Sequence, residues 1–274
     1  MDLVDVVDVV DLVDGVHEVH KVHLVHEVHK VHQGHLAATS CAKPGRVALP
    51  GRAFIVYPSA RMSSLPWRHI AIEGPIGVGK TSLTSLLAKR FHGTKVLEDA
   101  DNPFLDDFYK DKRGAAFRTE LFFLLSRFDQ MRQFAQRDLF TELILTDYAF
   151  ARSKIFAYLT LDDSELMIYN RLYDLLWEQV PKPDLVIYLQ ANLDTLLRRI
   201  KKRGRAYEKA ISPSYLQELS EAYSHYFYRY DETPLLVVNA TDIDFVNTPE
   251  HFEQLVEQVR NAQKGTQYYV PLGS

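Results

Sequence analysis

The sequence predicts an α/β fold, a five-stranded parallel sheet with helices on both faces. Three observations predict it. Short apolar runs alternate with longer segments in which apolar residues recur at helical spacing, the order that a parallel sheet with crossover helices requires. The first run leads at once into a glycine-rich stretch and then an amphipathic segment. Polar residues close the runs, as at Glu98 and Asp147, and in parallel sheets ligands bind at the carboxyl ends of strands.

Taken in order, Ile70–Glu73 reads as the first strand. Residues 81–91 follow as a helix, with Leu83, Leu86, Leu87 and Phe91 on one face and Gly93 as its C-cap. Lys95–Glu98 is the second strand. A long helix at 115–137 then carries Phe117, Leu121, Leu124, Leu125, Phe128 and Met131 at helical spacing. The third strand, Leu143–Asp147, precedes a helix at 163–178. The fourth, Asp184–Gln190, precedes helices at 192–203 and 212–229, and the fifth, Leu235–Asn239, precedes one at 248–262.

The glycine-rich stretch is Gly74-Pro75-Ile76-Gly77-Val78-Gly79-Lys80-Thr81, a phosphate-binding loop. Its glycines let successive backbone N–H groups turn inward and cradle an anion at a helix N-terminus. Lys80 is spaced to reach the outer phosphates and Thr81 to offer a hydroxyl to Mg²⁺. Gly74, Gly77, Val78, Gly79, Lys80, Thr81 and Ser82 are therefore the expected ATP-binding residues.

Composition narrows the partners. The net charge of −4 gives no basic field for nucleic acid. No apolar run approaches the ~18 residues of a membrane span. The single cysteine, Cys41, excludes an intramolecular disulfide and fits a reducing cytoplasm.

Residues 2–35 stand apart. Asp recurs at 2, 5, 8, 11 and 14, and His at 17, 20, 23, 26, 29, 32 and 35, with Val almost throughout between them. A period of three drifts around a helix by ~60° per repeat and matches no strand, so no fixed apolar face forms. A histidine-rich tract has the composition of a metal binder. The reading adopted is a low-complexity, disordered extension, joined by an Ala-, Gly- and Pro-rich linker. No basic segment leads into an apolar core with a cleavage site, so no signal peptide is expected. Met62 is a natural beginning for a phosphate-loop kinase. Residues 1–61 are thus expected to lie outside the machine, even outside the native protein, and 62–274 to form the catalytic domain.

From Met62 onward the chain resembles the deoxynucleoside kinases, especially the bacterial deoxyadenosine and deoxyguanosine kinase group. Four stretches carry the resemblance: IAIEGPIGVGKTSL at 70–83; EDADNPFLDDFY at 98–109 with LFFLLSRF at 121–128; TDYAF with KIFA at 146–157; and YLQANLDTLLRRIKKRGRAYE at 188–208. The resemblance implies an ATP- and Mg²⁺-dependent transfer of the γ-phosphate to the 5′-hydroxyl of a deoxynucleoside, with purines preferred. It also implies a homodimer and an arginine-rich lid.

Elementary chemistry points the same way at several residues. Phosphoryl transfer needs positioning and charge neutralisation more than covalent chemistry. Arg199 and Arg203 are four apart and share a helix face, with Arg205 just beyond Gly204. Glu98, at a strand end, can accept the proton of an attacking hydroxyl. By resemblance it is the catalytic base. Asp147, also at a strand end, is expected to face Mg²⁺ with Thr81.

Resemblance assigns the acceptor side. Glu120 stands where relatives often have the Gln that reads the base edge. Arg127 matches an arginine near the base, Phe156 an aromatic that stacks on it, Tyr109 a tyrosine that bonds the sugar 3′-hydroxyl, and Glu208 its acidic partner. One departure matters. The family's Arg-Ser after the strand-end acid is Tyr148-Ala149 here, and Arg152 or Lys154, just downstream, is expected to supply the missing charge.

Three other readings share parts of this pattern. A thymidylate-kinase-like enzyme would need extra cations for an acceptor phosphate and no acid placed to deprotonate a sugar hydroxyl. A pyrimidine deoxynucleoside kinase would share every motif. A regulatory metal binder would make the His tract the function.

Overall fold

The structure, a computed structural model, describes residues 65–99, 101–110, 112–137, 143–205, 208 and 211–271. The expectations for residues 1–61 lie outside the described residues. The strands are β1 (His69–Glu73), β2 (Thr94–Val96), β3 (Ile144–Thr146), β4 (Leu185–Gln190), β5 (Leu235–Asn239) and β6 (Thr266–Tyr269). They form one parallel sheet in the order β2-β3-β1-β4-β5-β6.

The sheet therefore has six strands among the described residues, where the sequence predicts five. The sixth, β6, pairs along β5 from Leu235↔Thr266 to Val238↔Tyr269. It is a short edge strand of Thr, Gln and two Tyr, with its residues alternately exposed and half-buried. An edge strand of this kind needs no continuous apolar run, so the pattern that reveals β1, β4 and β5 is absent from it.

The helices are α1 (Lys80–Phe91), α2 (Leu105–Tyr109), α3 (Ala115–Arg137), α4 (Arg152–Thr160), α5 (Asp163–Trp177), α6 (Leu193–Arg203), α7 (Pro213–Tyr228) and α8 (Pro249–Asn261). The sequence reading lacks α2 and α4. The first has only five residues. The second buries Arg152 and Ser153 beside Ile155 and Ala157, so its inward face is half polar and no apolar stripe marks it. The C-cap of α1 also differs. His92, not Gly93, takes the left-handed conformation, with φ 55°. Gly93 is small for another reason: a Cβ there would stand 2.6 Å from Leu145 Cδ1.

Two apolar clusters support this frame. One fills the space between the sheet and its helices, from Ile70, Ile72 and Leu87 to Leu189, Tyr223 and Val259. The other joins α3, α4 and α5 around Leu124, Met131, Tyr148 and Tyr169. There Phe150, Tyr173 and Trp177 stack, with centroids 5.0 Å apart for the first pair and 5.7 Å for the second. Each such buried side chain contributes roughly 1.5–3 kcal/mol.

The topology places the site. β1 lies between β3 and β4, so the chain leaves β1 at the point where strand order reverses. Crevices open at the carboxyl ends of strands at such points.

Candidate active site

A cleft of about 700 Å³ opens at that end of the sheet. It is lined by the loop after β1, the ends of β2 and β3, and residues of α2, α3, α4, α6 and α7. Of the residues expected to bind ATP, Mg²⁺ or the acceptor, or to act in transfer, all line it but Gly74; Arg152 lines it and Lys154 does not.

The loop wraps the N-terminus of α1. Gly77 has φ +86°, and a Cβ there would stand 2.7 Å from Ile200 Cγ1, so α6 can lie against the loop only over glycine. Lys80 folds back and donates from Nζ to the Gly74 and Pro75 carbonyls at 2.7 and 3.0 Å. Burial, reinforced by Arg152, pushes the Lys80 ammonium down to about 7, against the pull of Glu73, Glu98 and Asp147. Thr81 Oγ1 donates to Asp147 Oδ2 at 2.5 Å, and the Glu98 N–H donates to Asp147 Oδ1 at 2.7 Å. Asp147 thus fastens the loop to the ends of β2 and β3.

Glu98 carries two arginines. Arg127 donates from Nε to Oε1 at 2.8 Å, and Arg152 from Nη1 to Oε2 at 2.5 Å. Burial alone would raise the Glu98 carboxyl, but Arg152 and Arg127 hold it at about 2. Arg127 also donates from Nη1 to Ser153 Oγ at 2.8 Å. Asp99, the neighbour that could compete with Glu98, instead accepts the Asp101 N–H at 3.0 Å and does not line the cleft.

Arg152 is held from behind. Its Nε lies 3.3 Å from Glu73 Oε2 and 3.2 Å from the Tyr223 hydroxyl, to both of which it donates. The fully buried Glu73 carboxylate also accepts the Ala149 N–H at 2.5 Å, the Gly74 N–H at 3.3 Å and the Tyr223 hydroxyl at 3.2 Å. An ionised buried carboxylate is stable only when its lone pairs are met this way. Glu73 and Tyr223 were not anticipated. The strand-end rule that picks out Glu98 and Asp147 applies equally to Glu73, but no sequence signal ties Tyr223 to it. Lys154, the other expected source of charge, points elsewhere: it lies 3.3 Å from Asp174 and over the Tyr173 ring.

On the lid side, α6 runs from an Asn192 cap, whose side chain accepts the Thr195 N–H, to Gly204 with φ 69°. The next helix, α7, restarts at a Ser212 cap with Pro213 in its first turn. Arg199 donates from Nη1 to the Val78 carbonyl at 3.0 Å and from Nη2 to those of Ala240 and Ile243 at 2.9 and 3.0 Å. Its guanidinium therefore clamps the phosphate loop to the end of β5. Arg203 and Arg205 both face Glu208, through Arg203 Nε at 3.0 Å and Arg205 Nη1 at 3.9 Å. Glu208 is thus paired with the lid arginines.

Tyr109, Glu120, Phe123, Phe156 and Tyr215 also line the cleft. Phe156 meets Tyr223 edge-on at 6.3 Å. Glu120 is 2% exposed, and its Oε2 has no hydrogen-bond partner. Phe123 and Tyr215 were not anticipated, because aromatics at helical spacing read as core.

Such a cleft seats an anion on a helix N-terminus at one end and an apolar, ring-sized group at the other, the two demands on a phosphate-loop kinase with a small organic acceptor. Residues 70–263 match the deoxynucleoside kinase family. The chain is 38% identical to a deoxyguanosine kinase of Bacillus subtilis over 73% of its length and 98% of the relative's. It is 33% identical to a deoxyadenosine kinase of Lactobacillus acidophilus, over 69% and 94%. A solved structure of deoxyadenosine kinase from M. mycoides with bound dATP superposes with a TM-score of 0.61 at 26% identity, covering 70% of this chain and 98% of that one. The chain belongs to the deoxynucleoside kinase family.

Proposed function

We propose that the protein transfers the γ-phosphate of ATP to the 5′-hydroxyl of a purine deoxynucleoside in nucleotide salvage. The observation that carries this reading is Glu98, held between Arg127 and Arg152 within the same cleft as Lys80 and Asp147. The phosphate loop binds the donor phosphates, and Lys80 regains its full charge as they displace it from its carbonyls. Glu98 orients the acceptor hydroxyl and takes its proton. With its carboxyl held at about 2 by Arg152 and Arg127 it is a weak base. It becomes a stronger one as Arg152 turns to the incoming γ-phosphate. Arg203 and Arg205 close over the same charge from the lid side.

Thr81 Oγ1 and Asp147 Oδ2 are two hard oxygen donors side by side at the phosphate end, a set that fits Mg²⁺, which takes few protein oxygens and completes its shell with phosphates and water. Mg²⁺ held there would neutralise charge on the phosphates.

In the acceptor half, Phe156 and Phe123 offer apolar faces to a base and Glu120 a polar contact to its edge. Tyr109 and Glu208, which line the cleft nearer the lid, suit the sugar 3′-hydroxyl once Arg203 has moved to phosphate. The purine preference is supported by two relatives, a deoxyguanosine kinase and a deoxyadenosine kinase. Residues 62–274 form the catalytic domain in this reading. It acts as a homodimer in the cytoplasm, a state supported by the exposed Tyr158, Met167, Ile168 and Leu175 on α4 and α5. No described helix is long and apolar enough to cross a membrane.

A panel of the four deoxynucleosides with ATP and Mg²⁺ tests the function. Deoxyadenosine and deoxyguanosine are expected to lead. A pyrimidine as best substrate would overturn the base assignment, and phosphorylation of a deoxynucleoside monophosphate in preference to any nucleoside would overturn the acceptor.

A further inference from the structure

Glu120 is an ionisable side chain in the cleft that combines three features. Its carboxyl is almost completely buried, its Oε2 has no partner, and it lies among the aromatic residues that would surround a base. Thr119 Oγ1, one residue earlier, is likewise buried, unpartnered and part of the lining. A buried polar atom left unsatisfied is costly, so a ligand that meets the Glu120 carboxyl is favoured over one that does not.

Which ligand meets it depends on the proton. A neutral carboxylic acid offers one O–H donor and one acceptor; an ionised carboxylate offers acceptors only. The amino group and adjacent ring nitrogen of adenine present one donor and one acceptor, complementary to the neutral acid. The N1–H and amino group of guanine present two donors, complementary to the carboxylate. The carboxylate meets the adenine ring nitrogen as acceptor against acceptor, which is repulsive. We propose that Glu120 reads the base in two protonation states, taking deoxyadenosine when neutral and favouring deoxyguanosine when ionised. This rests on Glu120 being the residue that meets the base edge.

The surroundings place the switch near neutrality. Burial pushes the Glu120 carboxyl up to about 7, with Glu98 raising it further and Arg127 and a hydrogen bond from Thr160 opposing. Arg127 on the same helix stays charged, and Glu98 from the end of β2 is held at about 2 and stays ionised. Tyr169 from α5 and Tyr215 from α7 are pushed up by burial and stay neutral. Of these described groups, Glu120 changes charge near neutral pH and the others keep theirs. Lys80 also titrates near 7, but it acts on the donor phosphates and cancels in any ratio between two acceptors.

The test is the ratio of kcat/KM for deoxyadenosine to that for deoxyguanosine, measured on the full chain with ATP and Mg²⁺ from about pH 5.5 to about pH 8.5. In the parent the ratio is expected to fall by about tenfold across this range. In Glu120→Gln, whose amide keeps one donor and one acceptor at every pH, the ratio is expected to stay flat. A flat ratio in the parent, with a changed ranking in the variant, would leave Glu120 as base reader and overturn the switch. A variant with the parent's ranking and the parent's pH dependence would show that Glu120 does not meet the base. Deoxynucleoside binding without ATP, followed by calorimetry at both ends of the range, gives the same comparison on the parent alone should the variant fold poorly.

Discussion

Arg152 donates from Nη1 to Glu98 Oε2 at 2.5 Å while its Nε contacts Glu73 and Tyr223. One guanidinium thus links a fully buried carboxylate to one that lines the cleft. An arginine so placed is pre-oriented for a transferring phosphate, with little side-chain entropy left to lose. Arg152→Met is expected to lower kcat by about 10³-fold, with nucleoside binding much less affected, and to lower Tm because Glu73 is left without its cation. Lys154→Met is expected to change neither kcat nor Tm appreciably, since Lys154 bonds the exposed Asp174. Equal loss of rate in the two variants would refute the assignment of the charge to Arg152.

Glu98→Gln keeps the shape and removes the negative charge between two arginines. Turnover is expected to drop by at least about 10²-fold with the nucleoside Kd changed only a few-fold. Single-turnover kinetics beside equilibrium binding separates the two. A rise in KM with kcat preserved would make Glu98 a binding residue.

Lys80 predicts a proton uptake. Burial holds its ammonium near 7, and bound phosphates raise it. The complex then holds more protons than the free protein above about pH 7. Nucleotide affinity is therefore greatest below that pH and weakens as the pH rises through it, by up to about tenfold per unit. Calorimetry at about pH 8 in buffers of different ionisation enthalpy is expected to show nearly one proton taken up, and none in Lys80→Met.

Glu120 makes stability depend on pH. Its folded value, about 7, lies above its ordinary 4.5, so its contribution is full below 4.5 and is lost as the pH rises through 7. Glu120→Gln does not titrate. The variant is expected to melt close to the parent at acid pH and about 5 °C above it at about pH 8.5. The same difference in Tm at both pH values would contradict a buried, raised carboxyl.

A chain beginning at Met62 is expected to keep its fold and to hold kcat/KM within a few-fold. Among the described residues the first long-range anchors are these: the Trp67 indole donates to the Val259 carbonyl at 3.0 Å, and the Arg68 and His69 N–H groups donate to Asp184. Insoluble or inactive protein from this chain would overturn the domain boundary.

The sequence by itself determined the parallel sheet, the phosphate loop and the family, because these rest on local chemistry. A strand buried on both faces must be apolar along its length, and a loop that cradles phosphate must be glycine at set intervals. Ile70–Glu73, Leu235–Asn239 and Gly74–Thr81 carry those demands in adjacent residues. What the sequence left open is what residues far apart do to one another. Edge strand β6 carries no apolar run, and α4 hides its inward face behind Arg152 and Ser153. Arg152 and Lys154 are two residues apart and equally cationic, yet only packing against Glu73 and Tyr223, 79 and 71 positions away, turns the first inward. The same holds for Glu120, whose unpartnered oxygen exists only because α3, α4, α5 and α7 close around it. Burial and partner choice are properties of the assembled core, so only the tertiary structure decided them.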